Sequence, residues 1–239
     1  MAELRRLVNR RRDRVATGTF VIDGPRLLAE AVDAGVELVD VFVEAGADLA
    51  VAVDAPVWTV GQGVLAKVTS VVNPQGVMAT ARIPVPGPLV GGDFVVELAG
   101  VGDPGNAGAI VRSAVAAGAQ AVVFGPGSVD PWNPKTVRAS AGALFRVPLA
   151  VADPVGERIG ADPHRGHPCD TMDLTGPLTL VVGNEAHGVA PAVTVDRWVS
   201  IPMAPTVESL NVAAATAVLC FEIARQRRPP PPDDRSRSF

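Results

Sequence analysis

The chain has 239 residues, of which 48% are hydrophobic and 19% are charged, and its formal net charge is −4 at pH 7. This length and composition fit a globular protein of one large or two small domains and exclude a mainly disordered chain. No apolar run is long enough to cross a membrane, and no apolar signal segment follows the arginine-rich start. We therefore expect a soluble, cytoplasmic protein. The two cysteines, Cys169 and Cys220, suggest no disulfide framework.

Residues 1–83 predict a small α/β domain with a basic N-terminal helix. The stretch GTFVIDG predicts a strand, and PRLLAEAVDAG predicts a helix with Pro25 at its first position and Gly35 just past its end. LVDVFVEAG alternates as a strand does, and GVMATARIP predicts another strand. The prolines and glycines of residues 84–92 are typical of a semi-rigid linker.

Residues 93–228 repeat the alternation of strands and helices on a larger scale. FVVELAG, AQAVVFG, FRVPLAV, LTLVVGNE and RWVSIPM predict strands, and helices are predicted between and after them. This α/β order implies a mostly parallel sheet with helices on both faces. Segment 152–178 is too rich in Gly, Pro and Asp for a good helix, so one face could be exposed or covered differently. Residues 229–239 predict a disordered tail.

Positive charge is concentrated at the two ends of the chain, although the net charge does not favour a nucleic-acid partner. One interpretation is solvated termini, and the other is an electrostatic footprint for a phosphate backbone. The arginines concerned are Arg5, Arg6, Arg10, Arg11, Arg12 and Arg14 near the start, and Arg225, Arg227, Arg228, Arg235 and Arg237 near the end.

A glycine pattern suggests one possible function, that of an NAD-dependent oxidoreductase. Gly100, Gly102 and Gly105 spell the G-x-G-x-x-G of a dinucleotide-binding turn. Such a turn places its third glycine inside the helix start and has an acidic residue about 20 residues further on. Here Gly105 is predicted to lie in the loop, with Asn106 as the helix cap, and VVFGPGS carries no carboxylate. The oxidoreductase is therefore a weak alternative that bound NAD would revive.

Three separated segments resemble the three motifs of the SpoU (TrmH-type) RNA ribose 2′-O-methyltransferases of the SPOUT superfamily. They are DPGNAGAIVRSAVAAGA followed by NPKTVRASAGALFRVPL, then LVVGNEAHGV, and finally IPMAPTVESLNVAAATAVLCFEIARQR. The resemblance covers about residues 93–228, and residues 19–83 resemble, more loosely, the small RNA-binding domain of the family. It implies a C-terminal trefoil knot, a feature that chain-threading rules alone disfavour.

The resemblance also implies a cofactor and partners. The cofactor is S-adenosylmethionine, and no metal is needed because the methyl group is already activated. The substrate is structured RNA, with rRNA favoured over tRNA because of the extra N-terminal domain, so the protein would act in rRNA processing. A homodimer packed near the knot is expected as well. An RNA-binding module that has lost catalysis stays an alternative, although the polar active-site positions are retained.

Carried over to this sequence, the family motifs assign individual residues. The cofactor-binding residues are Gly183, Ile201, Met203 and Leu210, and the polar active-site residues are Asn106, Arg112, Glu185, Ser209 and Asn211. The family mechanism has the arginine help remove the proton from the ribose hydroxyl. Because the pKa of arginine is high, stabilisation of the alkoxide or a phosphate clamp is physically better, and Glu185 is the second candidate for the base.

Other interpretations of single residues stay open. Asn106 and Ser209 could be helix caps, and Glu185 and His187 could be ordinary loop residues. The family motif GNEG-x-G reads GNEAHG here, so Ala186 and His187 add bulk beside the cofactor loop. Trp132 is either a stacking platform for a base or part of the core. A zinc site is suggested by His164, His167 and Cys169, but these residues lack a second ligand pair.

The last helix gives an independent reason to expect a dimer. The side chains of residues 210–224 are apolar almost all the way round when they are plotted on a helix. Such a helix must be buried on more than one side, and its own sheet can cover only one. A two-fold dimer is the commonest way to cover the other side.

Overall fold

A computed structural model describes residues 1–69, 71, 73–85, 92–149 and 155–229 of the chain. The N-terminal part is built around a four-stranded sheet in the order β1-β4-β2-β3, in which only β2 and β3 run parallel. Its elements are α1 (Ala2–Asn9), α2 (Arg11–Thr17), β1 (Thr19–Asp23), α3 (Pro25–Asp33), β2 (Leu38–Glu44), β3 (Val57–Val60) and β4 (Val77–Arg82).

Both faces of this first sheet are covered by helices. Phe20 and Ile22 of β1 point to the face where α3 packs, and Val21 points to the face covered by Leu4 and Leu7 of α1. The predicted strands and the helix with Pro25 at its first position form where the sequence places them. Strand β3 was not predicted, because it lies at the sheet edge and its first three residues are exposed, so no alternation marks it.

The second part of the chain forms a six-stranded, wholly parallel sheet in the order β6-β5-β9-β7-β10-β8. The predicted, mostly parallel sheet is thereby confirmed. Its elements are β5 (Phe94–Ala99), α4 (Pro104–Ala116), β6 (Ala121–Phe124), α5 (Pro134–Ala139), β7 (Glu157–Ala161), β8 (His167–Pro168), β9 (Leu178–Gly183), β10 (Arg197–Ser200) and α6 (Val212–Arg227).

The helices α4 and α6 pack on the same face of this sheet, where Ile110 and Ile223 join one apolar cluster with Val96. The other face is covered by the irregular segment before β10, in which Val193 and Val195 pack with Trp198 of β10 on Val181. Among the described residues no helix lies on that face, although the sequence predicted helices on both. The reason lies in residues 155–177, which form β7 and β8 and so widen the sheet instead of crossing it.

Three local predictions need correction. Helix α4 begins at Pro104, and its cap is Asp103, whose Oδ1 accepts the Asn106 N–H at 2.8 Å, so neither the Asn106 cap nor a Gly105 in the loop is right. The FRVPLAV strand is also wrong for its described residues, because Phe145 ends a 3-10 turn (Ala143–Phe145) and only Leu149 makes a bridge to β6. Pro148 lacks the N–H that a regular ladder would need there.

The two sheets share one continuous core. Trp132, from the loop before α5, is 8% exposed and its ring centroid lies 4.5 Å from that of Phe20 on β1. Trp132 is therefore core, not a platform for a base. Most of linker 84–92 and nearly all of tail 229–239 lie outside the described residues. No described helix is both long and apolar enough to pass through a bilayer.

Candidate active site

A cleft of about 610 Å³ opens where the carboxyl ends of β7, β9 and β10 meet the start of α6. The carboxyl edge of a parallel sheet is where such folds bind ligands, because backbone groups and loop side chains converge there. The volume lies in the range that holds a drug-sized molecule. All four predicted cofactor residues line the cleft: Gly183, Ile201, Met203 and Leu210.

Gly183 also has a structural role at the end of β9. A Cβ built at this position would lie 2.2 Å from the carbonyl carbon of Gly188 and 2.3 Å from the Val189 nitrogen. The space is therefore filled by the chain's own backbone, which folds back onto the end of β9. The glycine allows this close return of the loop, and the loop then forms one wall of the cleft.

Asn184 fixes the shape of that returning loop. Its Oδ1 accepts the backbone N–H of Ala186 at 2.9 Å and of His187 at 3.2 Å, and its Nδ2 donates to the Gly100 carbonyl at 3.2 Å. Ala186 and His187 are both exposed at the rim of the cleft. The departure from the family motif is thus accommodated at the surface.

Three of the predicted polar residues are hydrogen-bonded to each other at the mouth of the cleft. Asn106 Nδ2 donates to Glu185 Oε1 at 2.9 Å, and Asn211 Nδ2 donates to Asn106 Oδ1 at 3.1 Å. Asn211 Oδ1 also caps α6 by accepting the N–H groups of Ala213 and Ala214. The first turns of α4 and α6 therefore orient one carboxylate, that of Glu185.

The other two polar residues stand apart from this group. Ser209 lines the cleft and is exposed, and it does not cap α6, because Asn211 does. Arg112 is exposed on α4 and does not line the cleft. It follows Asn106 by six residues, which places it about 9 Å further along the helix and on another side. It makes no hydrogen bond or ion pair with any described residue.

The turn after β7 supplies a wall of the cleft that the sequence did not predict, through residues 161–164. Burial opposes ionisation of the Asp162 carboxyl, but hydrogen bonds from the His164 N–H and the Arg165 guanidinium outweigh it, so the pKa of Asp162 is lowered. Asp162 is thus paired with Arg165 at 2.8 Å, and the carboxylates of the lining that have no cationic partner among the described residues are those of Glu185 and Glu208. An acidic lining favours a positively charged ligand.

A metal centre has no support in the described residues, where no group of three His, Cys, Asp or Glu side chains is arranged to hold an ion. Of the three residues considered for zinc, Cys169 is buried while His164 belongs to the cleft. Cys220 is buried as well, and burial raises the pKa of its thiol to about 12, so it is not a nucleophile.

Comparisons with known proteins find two family models that match this chain, one for each of its two sheets. The model of the SpoU rRNA Methylase family matches residues 93–221, and that of the MRM3-like substrate binding domain matches residues 2–79. The chain is 30% identical over 229 residues to the 23S rRNA (guanosine(2553)-2'-O)-methyltransferase RlmP of Bacillus subtilis. That alignment covers 89% of this chain and 91% of RlmP.

Two solved structures are similar over nearly their full length. The SpoU methyltransferase AviRb of Streptomyces viridochromogenes, in complex with the cofactor AdoMet, is 29% identical with a TM-score of 0.85, covering 95% of this chain and 97% of AviRb. The AdoMet-bound rRNA methyltransferase of Sinorhizobium meliloti is 28% identical with a TM-score of 0.80, covering 94% and 93%. Since the family model spans the second sheet and RlmP aligns with almost the whole chain, this protein belongs to the SpoU rRNA methylase family.

Proposed function

We propose that this protein transfers the methyl group of S-adenosylmethionine to a ribose 2′-hydroxyl of ribosomal RNA, and that it does so in the cytoplasm. The observation that carries the proposal is the cleft at whose mouth Asn106, Glu185 and Asn211 are joined by hydrogen bonds. RlmP is named for methylation of 23S rRNA, and the AviRb structure holds AdoMet. Residues 2–79 match a substrate-binding domain, which supports a large RNA substrate.

The cleft fits S-adenosylmethionine in size and in chemistry. Ile201, Met203 and Leu210 give it an apolar wall, and the carboxylate of Glu208 complements a cation. When bound, the cofactor supplies a methyl group activated by its sulfonium charge. Ile201, Met203 and Leu210 would hold it, together with the loop that follows Gly183.

Glu185 is placed to receive the proton of the ribose hydroxyl. Its Oε1 is held by Asn106, while Oε2 makes no hydrogen bond among the described residues. With S-adenosylmethionine bound, Glu185 would accept the proton of the ribose hydroxyl, and the ribose oxygen would take the activated methyl group and leave S-adenosylhomocysteine. Arg112, which is not in the cleft of its own chain, then acts on the RNA side by stabilising the alkoxide or clamping a phosphate.

The RNA surface of the proposal includes the N-terminal helices. Arg5, Arg6, Arg10, Arg11 and Arg12 are all exposed on or beside α1 and α2. Exposed guanidinium groups in one segment bind a phosphate backbone without reading its sequence. These arginines give the region that matches a substrate-binding domain, residues 2–79, a positively charged surface for RNA, although the net charge of the chain is −4.

Cofactor identity is the first test of the proposal. We expect S-adenosylhomocysteine, the product form of the cofactor, to bind the full chain in calorimetry and to compete with S-adenosylmethionine. NAD is expected to produce no heat, because VVFGPGS has no carboxylate for its ribose. Binding of NAD without S-adenosylhomocysteine would restore the oxidoreductase and refute the methyltransferase.

A homodimer is also part of the proposal. Helix α6 buries Leu219, Cys220 and Ile223 against its own sheet, yet Val218 and Phe221 on its outer side remain 44% and 47% exposed. A second copy would cover this outer stripe in a two-fold contact. Because α4 packs against α6, such a dimer brings Arg112 near the interface and towards the partner's cleft.

Changing the outer stripe of α6 should therefore change the mass in solution. We expect wild-type protein to scatter light as a dimer at micromolar concentration and Phe221→Glu to scatter as a monomer, because a charge would be buried without a partner. Val15→Glu is the matched control, since Val15 is an exposed apolar residue of another helix and should leave the dimer unchanged. A monomeric, active wild-type protein would contradict the dimer.

The trefoil knot that the family resemblance implies also belongs to the proposal. Strand β10 lies between β7 and β8, and the loop after it lines the same cleft as the loop after β9. Helix α6 then packs back on α4 and β9. This arrangement supports a C-terminal segment threaded through the cofactor loops.

A further inference from the structure

One arginine of the N-terminal segment is not available to RNA. Arg14, on α2, is 3% exposed, and its Nε and Nη2 donate to Asp130 Oδ2 at 2.9 and 2.6 Å. Its Nη1 donates to the Leu7 carbonyl at 2.6 Å, which ties α1 to α2. The guanidinium thus joins both N-terminal helices to a loop of the second sheet.

The loop that carries Asp130 supports the first motif. The Val129 N–H donates to the Val101 carbonyl at 2.9 Å, and Ser128 Oγ donates to the Leu98 carbonyl at 2.8 Å while it accepts the Gly100 N–H at 3.0 Å. Loop 128–130 therefore holds the turn that follows β5 and leads into α4.

That turn is in contact with the cleft. The Gly100 carbonyl accepts the Asn184 Nδ2–H, and Asn184 shapes the loop that carries Glu185. Arg14 is thus linked to the loop that lines the cleft in three steps: its hydrogen bonds to Asp130, the backbone of loop 128–130, and the hydrogen bonds of Gly100 with Ser128 and Asn184.

We infer that Arg14 is a positioning residue which couples RNA binding at α1 and α2 to cofactor binding in the cleft. The inference rests on the proposed function, because it needs both ligands. RNA that touches the N-terminal helices and the cleft together holds loop 128–130, and through it the Asn184 loop, in the arrangement that binds cofactor. A buried ion pair that served stability alone would be replaceable by apolar side chains with no effect on this coupling.

The test is the affinity for S-adenosylhomocysteine measured by calorimetry, with the full chain alone and saturated with an in vitro 23S rRNA transcript. In the wild type we expect the RNA to tighten binding by about fivefold or more. In Arg14→Lys the ratio should fall towards one, because an ammonium cannot make the forked contacts to Asp130 and Leu7. Affinity without RNA should not change. If Arg14→Lys unfolds, the double variant Arg14→Met with Asp130→Leu replaces it, because this variant leaves no buried charge unpaired. Its ratio should also fall towards one, with unchanged affinity in the absence of RNA.

Arg12→Met is the matched control, since the Arg12 side chain is 77% exposed on the same helix. It should weaken RNA binding yet keep the wild-type ratio once RNA is saturating. A wild-type ratio of one, or an unchanged ratio in the Arg14 variants, would overturn the inference and leave the proposed function standing. Failure of the wild type to bind S-adenosylhomocysteine at all would refute the proposed function, and the inference would fall with it.

Discussion

Arg112→Ala is expected to abolish methyl transfer while S-adenosylhomocysteine binding stays at the wild-type level. Arg112 is exposed, does not line the cleft and makes no hydrogen bond or ion pair with the described residues, so its loss should not disturb fold or cofactor. In the proposed mechanism it stabilises charge that develops on the RNA. Removing one such donor costs about a hundredfold to a thousandfold in kcat.

The measurement is the transfer of labelled methyl groups to unmodified rRNA at saturating RNA and cofactor. Arg112→Lys should also be poor if the guanidinium makes a planar, forked contact. Arg26→Ala is the matched control, since Arg26 is an exposed arginine on α3, far from the motifs in sequence. Near-normal turnover of Arg112→Ala would remove Arg112 from the mechanism.

Gly183→Ala is expected to abolish cofactor binding. The added methyl carbon would lie 2.2 to 2.4 Å from three backbone atoms of Gly188 and Val189, and backbone cannot give way as the end of a side chain can. The loop after β9 must therefore move outwards and take Glu185 with it. Overpacking of this kind costs about 1–3 kcal/mol of stability, so part of the protein should remain folded.

Calorimetry with S-adenosylhomocysteine, together with a melting curve, distinguishes loss of the cleft from loss of the fold. Gly176→Ala is the matched control, because a Cβ at Gly176, just before β9, meets open space. It should melt and bind as the wild type does. Wild-type cofactor affinity in Gly183→Ala would show that the close return of the loop does not shape the cleft.

Much of the second sheet could be predicted from the sequence because its central strands are buried and mostly apolar. All six residues of β5 and all six of β9 are buried, and only Glu97 in β5 and Thr179 in β9 interrupt the apolar run. Strand β7 was missed because it carries Glu157, Arg158 and Gly160. The charge on Arg158 is neutralised by Glu97 of β5 at 2.8 Å, a long-range contact that no local pattern reveals.

The sequence named most of the residues that line the cleft or lie at its mouth, but it did not show how they are arranged. Asn106, Glu185 and Asn211 came from three separated motifs, and only the fold brings them within hydrogen-bonding distance. Asp162 and His164 were missed as cleft residues because they follow the unpredicted β7. Arg14 was grouped with the exposed arginines, since a sequence does not show that one guanidinium turns inwards to a carboxylate more than a hundred positions away.

The most direct test of ribose methylation by this protein is to map 2′-O-methyl groups in rRNA from cells that carry the intact gene, lack it, or carry Arg112→Ala. We predict that a defined ribose of ribosomal RNA is methylated only with the intact gene, and that purified protein with S-adenosylmethionine restores the mark on rRNA from the deletion strain. An unchanged map, or a lost methyl group that proves to be on a base, would contradict the proposed function.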